Sequence, residues 1–154
     1  MRKIALALGV LSISFVGLAD NDQDPPVLEQ NNQGEKLINI KHKAFKPGER
    51  LTYRLTYGVF DAGEATFRVL ETKRTIKGRK LLRMIATGKT VSAFEWFYKV
   101  DDLYESYMDA QALVPWVFKR RVDEGGFKFS QDYVFKQHKN EVETEKGNVH
   151  EVPD

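Results

Sequence analysis

The sequence predicts an all-β domain: an antiparallel meander of about seven strands, bent into a strongly curved sheet or open barrel, with one short helix near residues 92–98. Three observations predict it. Apolar residues recur at every second position in successive short runs. Turn-forming Gly, Asn and Asp separate those runs at roughly 10-residue spacing, the signature of strands joined by hairpins. One segment alone opens with a helix-start pattern.

Taken in order, Lys46-Pro47-Gly48-Glu49 is a turn, with Pro fixing φ and Gly supplying the unusual one. Leu51, Tyr53, Leu55, Tyr57 and Val59 then fall on one face and Thr52, Arg54 and Thr56 on the other, which makes the first strand. Asp61-Ala62-Gly63 reads as a turn. Ala65, Phe67 and Val69 alternate with Thr66 and Arg68 in a second strand, and Lys77-Gly78 turns again. Lys80 to Thr90 is a third strand with apolar residues on both faces. Ser92-Ala93-Phe94-Glu95 fits a capping box, in which a Ser and a Glu three residues apart satisfy two helix-start amides, and predicts one or two helical turns to Tyr98. Leu103 to Met108 is a fourth strand. Val114, Trp116, Phe118 and Val122 share one face of a fifth, and Glu124-Gly125-Gly126 turns into a sixth carrying Phe127, Phe129, Gln131, Tyr133 and Phe135. Glu141 to Glu145 is a weaker seventh. A single short helix cannot cover seven strands, so the sheet must hide its apolar face by curling.

Ahead of this domain the composition changes. Met1-Arg2-Lys3 is a positive start, Ile4 to Leu18 an uncharged apolar run, and Gly17-Leu18-Ala19 ends it with small residues. This is the three-part pattern of a secretory signal peptide over residues 1–19, cleaved after Ala19. The run is too short for the roughly 20 residues that span a bilayer. The expected location is therefore periplasmic or secreted, with no transmembrane segment after cleavage. Residues 20–43 are rich in Asn, Gln, Asp and Pro and read as a flexible polar linker, which leaves 44–154 as the β domain. Setting aside Arg2 and Lys3, basic and acidic residues balance at 22 each, which argues against a nucleic-acid partner. Cys is absent, which excludes disulfides, thiolate metal sites and Cys nucleophiles.

Ala44-Phe45-Lys46-Pro47-Gly48-Glu49-Arg50-Leu51-Thr52-Tyr53, with Tyr57-Gly58 and Ala62-Gly63-Glu64-Ala65-Thr66, resembles the opening of an exported bacterial family labelled domain of unknown function 3108. Trp96 to Asp102, Glu105 to Asp109 and Leu113-Val114-Pro115 resemble its middle. The resemblance implies export and a β-rich fold, and no catalytic site. Members typically run longer, which implies a C-terminal portion missing after Asp154.

The chemical motifs are few. His42, His138 and His150 show no local metal-ligand spacing, so no metal and no cofactor is expected. Asp101, Asp102, Glu105 and Asp109 form an acidic cluster without the pattern of a calcium loop, and Asp109 is placed to bond backbone groups where a turn begins. No G-x-S-x-G is present, and Ser92, Ser106 and Ser130 have no His nearby in sequence, so no catalytic residue is assigned. Lys73, Arg74, Lys77, Arg79 and Lys80 gather at one hairpin end, as a solvated tip or as a contact for anionic headgroups or an acidic partner, with the five acids between Glu95 and Asp109 as a simpler partner within the chain.

The aromatic content carries the functional expectation. With ten Phe, six Tyr and two Trp, the residues placed as an apolar wall for a lipid-like ligand or other apolar small molecule are Tyr53, Tyr57, Phe67, Trp96, Trp116, Phe118 and Phe129. The alternative is an interaction module that pairs an exposed strand edge with an envelope protein.

Overall fold

The computed structural model describes residues 37–152. The signal peptide expected over residues 1–19 and most of the expected linker over 20–43 lie outside the described residues. Eight strands form one antiparallel sheet in the order of the chain: β1 (Arg50–Tyr57), β2 (Phe60–Ile76), β3 (Arg79–Thr90), β4 (Asp101–Asp109), β5 (Pro115–Glu124), β6 (Phe127–Lys136), β7 (Glu141–Thr144) and β8 (Val149–Glu151). The sheet is open, with β1 and β8 at its edges. The all-β meander is as the alternation predicts. An eighth strand, Val149–Glu151, lies in what reads from sequence as a tail, and it pairs Val142 with His150.

Two local expectations are corrected. Residues 92–97 make a series of hydrogen-bonded turns rather than a helix. Phe94 N–H bonds Val91 O, while Phe97 and Tyr98 N–H both bond Phe94 O. The short segment must return at once to the sheet, where Val100 bridges Glu124 and Gly125 N–H donates to Lys99 O. Those tertiary bonds leave no room for a helix to grow past its costly first turn. The other correction is the first hairpin. Its turn falls at Gly58-Val59, with Gly58 at φ 61°, and Asp61 to Gly63 belong to β2.

Register defines two faces, because alternate residues point to opposite sides. Along one side run Leu51 and Tyr53 of β1, Ala65 and Phe67 of β2, Met84 and Ala86 of β3, Tyr104 and Ser106 of β4, and Phe118 of β5. The other side carries Leu81, Tyr107 and Val117, which with Trp116 form a buried cluster at one end of the sheet. Leu37 and Ile76 pack against that cluster. Away from the cluster this second side is charged: Arg83 pairs with Glu105 at 2.7 Å, Lys89 with Asp101 at 3.0 Å, and Arg121 with Asp132. Cross-strand ion pairs of this kind stabilise a solvated sheet face modestly, by roughly 0.2–1 kcal/mol each.

The segment before β1 reaches both sides. Leu37 joins the buried cluster and Ile40 N–H bonds Gln111 O, whereas Ala44 and Phe45 lie against the opposite side. Gly48 and Glu49 then pair with Val69, which leads into β1.

Candidate functional site: an apolar cavity, a buried carboxylate and an aromatic tip

The apolar side of the sheet holds a cavity of about 480 Å³, within the range of small-molecule sites. Leu51, Tyr53, Phe67, Val69, Met84, Ala86, Tyr104 and Phe118 line it from five consecutive strands, and Ala44, Phe45 and Glu49 line it from the segment ahead of β1. The sequence produces it simply. Large rings at Tyr53, Phe67, Tyr104 and Phe118 surround the smaller Ala86 and Ser106, and so leave a hollow. The rings are mutually set: Tyr53 and Phe67 meet edge to face at 5.9 Å, and Phe118 lies 6.4 Å from Tyr104 and 6.3 Å from Tyr133. Leu51, Tyr53 and Phe67 remain exposed, so the hollow is open to solvent over β1 and β2.

Polar groups sit beside the cavity along the same side of β4 and β5. Asp102 is buried, accepts a hydrogen bond from Asp123 N–H at 3.1 Å, and lies 3.4 Å from the Tyr104 hydroxyl. Desolvation raises its carboxyl above the ordinary value, and the neighbouring Glu124 adds to this against the Asp123 amide. The Tyr104 hydroxyl is pushed up as well, by desolvation first and then by Asp102 and Glu124. Arg120 lies 4.5 Å over the Phe129 ring and donates to Gln131 at 2.8 Å.

At the far end of the sheet Asp109 is completely buried and forms a hub. It takes both Arg79 Nε and Nη2, the amides of Gln111 (2.9 Å) and Ala112 (2.8 Å), and the Trp116 indole at 3.3 Å. Desolvation opposes its charge, but the Arg79 guanidinium, the two amides and the indole together outweigh this and hold the carboxyl at about 2. The amide bonds are the turn-entry role that the sequence assigns to Asp109; the Arg79 fork and the Trp116 bond are additional. Arg74 sits 5.5 Å over the Tyr107 ring. Two cations of the basic hairpin end, Arg74 and Arg79, therefore act inside the molecule. The other acids of the expected cluster are separated by the pleat: Asp101 and Glu105 point to the charged side and Asp102 to the cavity side. Among the described residues, no group of three or more His, Cys, Asp or Glu is placed to hold a metal ion.

The seven wall residues part company. Tyr53, Phe67 and Phe118 line the cavity. Phe129 is on the same side of the sheet but stacks on Phe127 at 6.5 Å, outside the cavity lining. Trp116 is not a wall residue. Tyr107 pairs with Val117 and Met108 with Pro115, so Trp116 is the extra residue of a β-bulge, turned into the cluster beside Asp109 and only 2% exposed. Tyr57 and Trp96 stand at the opposite end, at 68% and 84% exposure. There the turns after β1, β3 and β5 come together, because every second connection of a meander returns to the same end. Phe60 approaches Phe94 at 6.4 Å, and the Tyr98 ring packs so closely over Gly125 that a Cβ there would lie 2.6 Å from it.

Sequence reasoning missed Phe45, Met84 and Tyr104 as lining residues. Phe45 falls outside any strand, and Met84 and Tyr104 lie in strands whose two faces are both partly apolar. The strand register is what separates them.

The described residues thus form an all-β protein, one open antiparallel meander with an apolar hollow on one side. Residues 52–153 match the family model described as protein of unknown function (DUF3108), and the chain belongs to that family. No curated protein matches the chain, and no solved structure does.

Proposed function

We propose that this is an exported, non-enzymatic envelope protein that holds an apolar or lipid-like ligand in the hollow bounded by Tyr53, Phe67, Met84, Tyr104 and Phe118. The observation that carries the reading is the hollow itself: about 480 Å³, walled almost wholly by carbon, and open over β1 and β2. Exposed side chains at Leu51, Tyr53 and Phe67 keep an unfavourable contact with water that an acyl chain or similar ligand would remove, at roughly 25 cal/mol per Å² of apolar surface covered. The leader over residues 1–19 supports placement in the envelope, where such ligands abound.

Organic extraction of protein purified from its native envelope, followed by mass spectrometry, tests the reading. Wild-type protein yields a stoichiometric apolar compound, and Phe67→Asp, which sets a charge in the hollow, yields little. Extracts free of any such compound for both proteins refute the reading.

A second reading rests on β1. It is an edge strand, and seven of its eight residues are exposed. Its free edge is suited to accept a strand from an envelope partner. Pull-down from envelope extracts that is abolished by a Thr52→Pro substitution, with ligand content unchanged, favours this second reading over the first.

A further inference from the structure

We propose that the aromatic end of the sheet is a docking tip that inserts into the interfacial layer of a lipid bilayer. The tip is built from three connections that the topology brings to one end. Val59 and Phe60 stand on the first, Trp96, Phe97 and Tyr98 on the second, and Phe127 on the third, at 90%, 61%, 84%, 73%, 49% and 65% exposure. They are one surface rather than scattered residues. Phe60 meets Phe94, Trp96 meets Phe97 at 6.0 Å, and Tyr98 covers Gly125 of the third connection.

Two features select lipid over a protein partner. The first is hydrogen bonding. Backbone groups entering a bilayer must be satisfied from within, since lipid tails offer no partners. At this apex the Phe94, Phe97 and Tyr98 amides are bonded within the loop and the Gly125 amide bonds Lys99 O. The Trp96 indole N–H donates to Ala93 O at 3.0 Å, so that ring, too, is free to leave water. The second is size and shape. Six side chains on three projecting turns fall well short of the 20–30 residues that each partner presents in a stable protein interface. They match the Trp, Tyr and Phe that anchor proteins at headgroup level. Lys99 and Lys128 flank the tip; Lys128 pairs with Asp123 at 3.2 Å yet is 76% exposed, so both long side chains can keep their ammonium groups at headgroup level. The tip lies outside the ligand hollow, so the proposal stands or falls separately from the proposed function.

The two tryptophans provide the test. Trp116 is buried and Trp96 exposed, so a change in emission on adding vesicles reports Trp96. The full chain is mixed with vesicles of phosphatidylcholine containing a minor fraction of phosphatidylglycerol. The expected result is a blue shift, with quenching when the phosphatidylcholine carries brominated acyl chains. Both persist in about 1 M salt, where the Debye length is only about 3 Å. F60S/F97S, which keeps both tryptophans and every residue of the leader, loses roughly ten-fold or more of the vesicle partitioning while its thermal transition stays in place. Because the quenching is read on the wild-type protein, it decides the matter even if that variant folds poorly. Vesicle binding with Trp96 emission unchanged overturns the proposal, because the chain then attaches elsewhere. So does absence of vesicle binding with a concentration-dependent dimer that F60S/F97S abolishes, which would assign the tip to a second copy of this chain.

Discussion

The two ends of the sheet are built from similar residues and put them to opposite uses. Each has a tryptophan, a tyrosine and neighbouring charges. At one end Trp116 and Tyr107 are sealed in a cluster with Leu81 and Val117, and the charges are inward: Asp109 is buried and fully bonded, with Arg79 as its partner. At the other end Trp96, Phe97 and Tyr98 face outward, and the charges of that turn, Glu95 and Lys99, are exposed beside them. The difference shows what burial requires of a polar group. A carboxylate is tolerated with no exposure only because five donors meet it, whereas an exposed ring needs no partner and is left available.

The contrast is sharpest on removal of the hub. Asp109→Ala leaves the Arg79 guanidinium without its carboxylate and two turn amides without an acceptor, and is expected to cost about 3–5 kcal/mol in denaturant unfolding. A loss below about 1 kcal/mol would mean that the hub adds little. Acid probes the same group. Its carboxyl is held near 2 in the folded chain against 3.8 ordinarily, so the stabilisation is fully present above about pH 4 and is lost as pH falls toward 2. The shift corresponds to about 2–3 kcal/mol at neutral pH. Comparing wild type with Asp109→Asn across that pH window isolates it: the wild-type slope should exceed the variant's.

Smaller effects are expected at the outward end. Gly125→Ala places a methyl against the Tyr98 ring in a backbone of φ 59°, and should cost about 1–2 kcal/mol while loosening the contact between the second and third tips. Phe97→Ser should change stability by no more than about 0.5 kcal/mol, since the ring is exposed. If Phe97→Ser proves as damaging as Asp109→Ala, the two ends are not different in kind.

Much of the fold is legible in the sequence because alternation is a local signal. The strand pattern from Leu51 onward, the turn at Lys77-Gly78 and the hairpin at Gly125-Gly126 all follow from period and turn chemistry. The failures come where a distant contact decides. Ser92 and Glu95 carry a helix-start pattern, but the bridge from Val100 to Glu124 draws the segment back into the sheet. β2 extends to Ile76 because β3 offers it partners beyond Glu71, across an irregularity that polar residues conceal in the sequence. Site residues were harder still. Trp116 and Phe118 are two apart and should share a face, yet the bulge at Trp116 sends them to opposite sides. Tyr57 and Trp96 are apolar enough for a wall, but which end of the sheet a turn occupies emerges only from counting strands.

Strictly sequential pairing has a further consequence, for the order of assembly. Each strand pairs only with the one made just before or just after it, so the ladder itself never waits for a remote part of the polypeptide, and later closure is left to contacts such as those of Leu37 and Ile40 with the β4–β5 end. A chain emerging end-first can therefore zip one hairpin onto the last while the remainder is still unmade, with short loops to close at every step.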